Sequence, residues 1–172
     1  MHFIPYLLIL LAASVRVIDH PANFVPVAAV ALFGAVYLSR KEALLLPLAA
    51  MFISDILIGF DSLESRLTIY GCFLAISLIG LWVRNHKNFG TVLGASLLGS
   101  TLFYLITNLV VLYPAKMYAH TWAGQAASYA NALPFFRNTL LGDLFYTAVL
   151  FGAYELAVVW HKRRQLAYEH SR

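Results

Sequence analysis

The sequence of 172 residues has little charge and a single cysteine. Lys, Arg, Asp and Glu together make up 12% of the chain, whereas soluble domains average about 25%. Hydrophobic residues make up 61%, and the mean hydropathy is +0.74. This composition excludes an ordinary soluble domain and predicts an integral membrane protein. At this length we expect one domain over residues 1–172.

The lone cysteine, Cys72, excludes an internal disulfide and any metal site that needs two cysteines. The chain also lacks the GxxxxGK[ST] loop that binds ATP, the HExxH zinc motif and the GxSxG nucleophile motif. We therefore predict that the protein is not an enzyme and has no cofactor of its own. The net charge of +4 comes from basic residues at the ends of apolar runs, which indicates membrane topology and no nucleic-acid partner.

Six apolar runs are long enough, or nearly so, to cross a bilayer whose hydrocarbon core is about 30 Å thick. No Lys or Arg precedes the first run, so we expect a retained helix and not a cleaved signal peptide. The predicted fold class is an all-α integral membrane protein with six transmembrane helices. The predicted spans are Phe3–Ile18, Phe24–Leu38, Ala43–Phe60, Leu67–Val83, Thr91–Tyr113 and Thr139–Trp160.

Basic residues are unequally distributed between the two sides of these spans, which predicts that both termini are cytoplasmic. Three connections, at residues 19–23, 61–66 and 114–134, then face outward, and we expect a site where they meet. The connection 114–134 is the one long loop in this prediction. The termini side has eight basic residues, namely Arg40, Lys41, Arg84, Lys87, Lys162, Arg163, Arg164 and Arg172, and the outer side has four, namely Arg16, Arg66, Lys116 and Arg137.

Two acidic residues lie inside predicted spans, where ionisable side chains are costly and are usually paired or functional. For Asp55 we expect a polar partner on a neighbouring helix, such as Asn108. For Asp143 we expect an ion pair with Arg137 or Arg16. We prefer these structural pairings to direct contact with a ligand. The aromatic side chains near the long connection, Tyr113, Tyr118, Trp122 and Tyr129, either form an interfacial belt or line a pocket for a planar ligand.

Cys72 has two interpretations. A free cysteine in an apolar helix usually packs as a small hydrophobic residue. However, a helix that begins near Leu67 would place Cys72 only about 8 Å below its outer end. Thr68 and Ala75 share its helical face, and that face is small enough to admit a bulky ligand. A thiolate is a soft ligand for late first-row transition metals, and one protein ligand suits a metal already held by a macrocycle.

Three motifs resemble those of the small six-helix S-components of energy-coupling factor vitamin transporters. The motifs are RVIDHPANFVP at residues 16–26, Ser54-Asp55, and PFFRNTLLGD at residues 134–143. Within that group, the solitary BtuM-like cobalamin transporters have a cysteine at the outer end of a helix, and this cysteine ligates cobalt. Cys72 lies in a matching place, after the third predicted helix and its short loop.

The resemblance implies a bacterial inner-membrane protein that binds and imports cobalamin, with the Cys72 thiolate as axial cobalt ligand and as an aid to loss of the upper ligand. It implies an energy-coupling partner, composed of a transmembrane protein and ATPases, or transport without one. The alternatives are an S-component for another small molecule, with Cys72 purely structural, then a membrane protein without a small ligand, and last a membrane enzyme that acts through Cys72. The expected ligand contacts are Cys72, His20, Arg137, Asn23, Asp61 and Tyr118.

Overall fold

The computed structural model describes residues 3–19, 21–60 and 62–170, apart from the side chains of Val27 and His170. These residues form six α-helices and two short 3-10 turns, and they contain no strand. The all-α prediction is therefore confirmed for the described part of the chain. The helices are α1 (Ile4–Ser14), α2 (Val27–Tyr37), α3 (Arg40–Ile58), α4 (Leu63–Asn85), α5 (Phe89–Thr107) and α6 (Trp122–His170).

The polar connections define where three of these helices begin. Ser39 and Glu42 form a reciprocal capping box at the start of α3, and Asn88 forms one with Thr91 at the start of α5. The hydroxyl of Ser62 accepts a hydrogen bond from the backbone of α4. Each cap satisfies backbone N–H groups that have no partner within the first turn of a helix.

Helix α2 lies at the centre of the bundle and contacts each of the other five helices. Its side chains are apolar on all sides, which is the pattern of a fully buried helix. Ala31 and Ala35 are both 0% exposed, so they pack within this chain and offer no surface to a partner. A Cβ added at Gly80 of α4 would lie 2.5 Å from the Cβ of Ala35. The glycine therefore permits the close approach of α4 to α2.

Three helices, α4, α5 and α6, are long and apolar enough to cross a membrane, as judged within the described residues. Helices α1 and α2 have 11 residues each, and such a helix is about 16 Å long, shorter than the bilayer core. Membrane insertion through α4–α6 thus agrees with the sequence. The prediction of six spans and of cytoplasmic termini stays a prediction.

Several predicted helix ends are wrong, and α5, for example, ends at Thr107 and not at Tyr113. Helix α6 begins at Trp122, continues through Pro134 and ends at His170, so more than half of the predicted connection is helical. Alanine is frequent between these residues, and its high helix propensity offsets the backbone hydrogen bond that proline cannot donate. Helix α4 begins at Leu63 and not near Leu67, because Ser62 caps it before the charged residues that suggested a loop.

Polar contacts close the end of the bundle where α2 terminates. The Tyr37 hydroxyl and the Lys87 ammonium both donate to Glu155 Oε1, at 2.6 and 2.5 Å. Arg84 Nε donates to the carbonyl of Ala35 at 2.9 Å and so satisfies the last turn of α2. The opposite end, where α1, α3 and α5 terminate, is the open one.

Candidate functional site

A cleft of about 400 Å³ opens between the end of α5, the connection 108–121 and the first half of α6. We call it the aromatic cleft. Six aromatic side chains line it, namely Phe103, Tyr104, Tyr113, Tyr118, Phe135 and Phe136. The polar side chains of its lining are amides and hydroxyls without charge, namely Asn23, Thr107, Asn108, Ser128, Asn131 and Thr139.

Side chains of α6 hold the connection 108–121 in place over the cleft. The amide of Gln125 accepts a hydrogen bond from the Val110 backbone N–H at 3.1 Å and donates one to the Asn108 carbonyl at 2.9 Å. The Tyr113 hydroxyl donates to the Thr107 carbonyl at 2.9 Å. These bonds satisfy backbone groups that no helix pairs. The connection is therefore held by hydrogen bonds as one wall of the cleft.

The rings of the cleft are ordered by contacts with one another. Tyr104 and Phe136 stack with their centroids 4.4 Å apart, and Tyr113 meets Tyr118 edge-on at 5.5 Å. Burial, and to a smaller extent the neighbouring Tyr118, raises the pKa of Tyr113 above its ordinary value. Asn131 Nδ2 lies 3.3 Å from the Tyr118 hydroxyl, to which it donates.

Asn23 lies at the base of the cleft in an unusual backbone conformation. Among the described residues it is the non-glycine residue with positive φ, at 62°. Such a conformation is uncommon outside glycine, and asparagine tolerates it better than most residues. Asn138 Nδ2 donates to the Ala22 carbonyl at 2.9 Å. A Cβ added at Gly142 would lie 3.2 Å from Phe24 Cα, so this loop presses closely on α6.

A smaller cavity of about 190 Å³ shares Asn23, Phe103 and Thr139 with the aromatic cleft. We call it the polar chamber. Arg16 and Asp143, a basic and an acidic side chain, both line it. The described lining of the aromatic cleft has no Asp, Glu, His, Lys or Arg side chain, and these two groups lie in the cavity next to it.

The carboxylate of Asp55 is bound by Arg16, in the 3-10 turn that follows α1, and by Tyr70 of α4. Arg16 Nη2 donates to Asp55 Oδ1 at 3.1 Å, and the Tyr70 hydroxyl donates to Oδ2 at 2.7 Å. The suggested pairing with Asn108 is wrong, because Asn108 Nδ2 donates to the carbonyl of Tyr104 at 2.8 Å. The expectation that Asp55 is paired is itself confirmed.

Asp143 is 2% exposed and accepts a hydrogen bond from Ser100 Oγ at 2.7 Å. The expected ion pair with Arg137 or Arg16 is wrong for the described residues, since Arg16 pairs with Asp55. Arg137 is exposed and has no ion pair within them. The structure therefore gives Asp143 a hydroxyl partner on α5.

The structure brings together two of the six predicted ligand contacts. Asn23 and Tyr118 both line the aromatic cleft. Arg137 lies on α6 but outside the lining of the cleft and the chamber. His20 and Asp61 lie outside the described residues. The part that each residue plays in binding stays a prediction.

Most of the cleft lining was not predicted, because the first 13 residues of α6 were expected to belong to a connection. The lining positions of α6 are 128, 131, 132, 135, 136 and 139. Intervals of three and four residues place these positions on one face of a helix. The same periodicity is visible in the sequence and could have identified the wall.

Cys72 lines neither the aromatic cleft nor the polar chamber. It is 1% exposed and shares the buried face of α4 with Ile76, Gly80 and Val83. Because α4 begins at Leu63, the cysteine lies about 14 Å along the helix, and not about 8 Å as expected. Contact of its sulfur with a bulky ligand requires movement of the packed helices, so the role as cobalt ligand stays a prediction.

Three helices of membrane-spanning length pack with shorter helices around a lined cleft, and the described residues form an all-α protein. A protein family described as "Family of unknown function (DUF6580)" matches residues 1–166, and the chain belongs to this family. No curated protein and no solved structure matches the chain.

Proposed function

We propose that the protein is a membrane-embedded binding protein for a small, neutral, flat molecule, and that binding serves the uptake of this molecule across the membrane. The uncharged aromatic lining of the cleft carries the proposal. The resemblance to S-components, which take up small molecules, supports the transport step. This is the alternative in which Cys72 is purely structural.

The shape of the cleft suits a molecule of limited size. Small-molecule sites have volumes of about 300–1,000 Å³ and combine apolar walls with a few polar groups that fix orientation. The aromatic cleft, at about 400 Å³, lies near the lower end of this range. Rings stack on flat partners with centroids about 4.5–7 Å apart. The lining therefore favours a flat ring system over a flexible chain.

The chemistry of the lining sets the polarity of the ligand. Asn23, Asn108 and Asn131 each offer both a donor and an acceptor. Burying a charged group without a partner of opposite charge is costly. Because the residues that line the cleft carry no charge, a neutral ligand with hydrogen-bonding edges fits best. Nucleobases, flavin rings and pyridine carboxamides have this chemistry.

Cobalamin uptake through a Cys72–cobalt bond is the rival proposal. It has the sequence resemblance in its favour, together with the fact that Cys72 is the one thiol of the chain. It requires the sulfur, 1% exposed in this structure, to become accessible. The small-molecule proposal needs no such movement, and we therefore prefer it.

The test is retention of ligand by purified protein in detergent. The protein is incubated with the three classes of neutral compound and, separately, with cobalamin, and is then desalted and analysed by mass spectrometry and absorbance. We expect a neutral flat compound to be retained. Phe135→Ala removes a cleft wall that is 48% exposed and should weaken binding about tenfold, which corresponds to about 1.4 kcal/mol.

Leu133 provides the matched control. It lies on the same helix, is 54% exposed and does not line the cleft. Leu133→Ala should bind as the wild type does. Equal binding by the Phe135 variant would overturn the assignment of the cleft. A retained corrin spectrum that is lost in Cys72→Ala would replace the proposal with cobalamin uptake.

A further inference from the structure

A third cavity of about 420 Å³ lies between the end of α3 and the first turns of α4. We call it the arginine cleft because Arg16 and Arg66 both line it, together with Asp55, Phe60 and Tyr70. Arg16 also lines the polar chamber, so it separates the two cavities. The aromatic cleft shares no lining residue with the arginine cleft.

The two arginines differ in their partners. Arg16 forms an ion pair with Asp55 at 3.1 Å, and Tyr70 occupies the other oxygen of that carboxylate at 2.7 Å. Arg66 has no ion pair within the described residues. The cleft thus carries one positive charge that the described acids do not compensate.

The guanidinium of Arg66 is also incompletely hydrogen-bonded. Its Nε is buried and has no hydrogen-bond partner among the described residues. The central carbon of the guanidinium lies 4.5 Å from the centroid of the Phe60 ring, and this contact orients the guanidinium plane. A buried donor without a partner costs free energy, more so when the group is charged. A fixed guanidinium with free N–H groups matches the two oxygens of a carboxylate or a phosphate.

We propose that the arginine cleft binds an oxyanion, a phosphate or a carboxylate, with Arg66 as its principal ligand. The oxyanion accepts hydrogen bonds from the terminal N–H groups of Arg66, which have no partner among the described residues, and neutralises the uncompensated charge. Ile58 and Phe60, at 56% and 50% exposure, present apolar surface at the rim of the cleft. That rim suits the phosphate of a lipid headgroup as well as a soluble anion. The proposal goes beyond the neutral ligand of the aromatic cleft and does not rest on it.

The test measures binding of two probes to the detergent-solubilised full-length protein. Inorganic phosphate is followed by the broadening of its ³¹P resonance. Mixed micelles of phosphatidylglycerol and phosphatidylcholine are followed by native mass spectrometry of retained lipid. We expect the wild type to broaden phosphate, to retain phosphatidylglycerol preferentially, or both. Phosphate alone indicates a soluble anion, and phosphatidylglycerol alone indicates a lipid headgroup.

Substitutions at Arg66 distinguish this site from general attraction to a basic protein. Arg66→Gln should weaken binding at least tenfold. Arg66→Lys, which keeps the charge but removes the planar fork of N–H donors, should weaken it about fivefold. Lys116→Ala removes one exposed charge from the connection 108–121 and should bind as the wild type does. An unchanged thermal midpoint in each variant shows that the fold is retained.

Two results would overturn the proposal. One is equal binding by wild type and Arg66→Gln, or no binding of either probe by the wild type. The other concerns Asp61, the acid nearest to Arg66 in sequence on the α3 side, which lies outside the described residues. If phosphate or lipid binds only to the Asp61→Asn variant, the carboxylate of Asp61 already fills the site in the native chain.

Discussion

The contact between α2 and α4 and the contact between α5 and α6 differ in the kind of side chains that they pack. The first is built from small and apolar residues, with Gly80 against Ala35 and no room for an added Cβ. The second contains polar pairs, with Ser96 Oγ 3.2 Å from Thr147 Oγ1 and Ser100 bound to Asp143. The closed contact stabilises the bundle, and the polar contact continues into the clefts. Cys72 lies on the buried face that forms the closed side.

This difference indicates where a cavity for a ligand can form in the molecule. A tightly packed interface has no volume to give to a ligand, because protein interiors are packed as densely as organic crystals. Hydrogen-bonded polar pairs within an apolar region are retained at a cost and usually have a structural or functional reason. This agrees with the proposal that the neutral ligand binds on the α5–α6 side. Three substitutions test the comparison by thermal unfolding in detergent.

Gly80→Ala should have the largest effect, because the new Cβ would lie 2.5 Å from the Cβ of Ala35 and 3.0 Å from the Leu32 carbonyl oxygen. Forced expansion of a packed contact costs about 1–3 kcal/mol, so we expect a clear fall in the thermal midpoint. Gly71→Ala on the same helix is the matched control, since nothing lies within 4 Å of its added Cβ. The control should be neutral or slightly stabilising. A tolerated Gly80→Ala would contradict the closed contact.

Ser100→Ala should have an intermediate effect. It removes the hydroxyl that donates to Asp143 at 2.7 Å and leaves a carboxyl that is 2% exposed with one partner fewer. Loss of such a partner costs about 1–3 kcal/mol. Ser77→Ala is its counterpart, because the Ser77 hydroxyl is also buried but has no hydrogen-bond partner among the described residues. That variant should match or exceed wild-type stability. Equal losses in both would show that the Ser100–Asp143 bond contributes nothing.

Cys72→Ala should have the smallest effect. It removes one sulfur atom from a packed face, which we expect to cost about 1 kcal/mol or less, and it should leave the retention of ligand unchanged. The measurements are the thermal midpoint and the retention assay on the same preparation. Loss of ligand retention with little loss of stability would contradict the distinction between the two contacts, because a binding residue would then lie in the tightly packed region near α2 and α4.

The sequence was sufficient to predict the helical architecture. Each of the six apolar runs overlaps one observed helix, because long apolar segments bury their backbone most readily as helices. The predicted boundaries failed where polar residues are part of a helix. Trp122–Pro134 was expected to be part of a connection, yet it is the start of α6.

The site was harder to predict because it depends on contacts between distant parts of the chain. Asn23 and Tyr118 were expected near a ligand, and the structure places both in one cleft. The choice of Arg16 as partner for Asp143 failed because Asp55 lies closer to it in the folded chain. Such a choice depends on helix packing that no local pattern reports. The orphaned donor of Arg66 is likewise visible only after folding.

Helix α6 has one further consequence. Its 49 residues form a single helix of about 73 Å, more than twice the thickness of a bilayer core. One face of its first half forms a wall of the aromatic cleft, and Glu155 is bound to Lys87 at the far end of the bundle. The segment with Lys162 and Arg163 extends beyond that ion pair. One continuous helix therefore connects the wall of the cleft with the basic terminal segment.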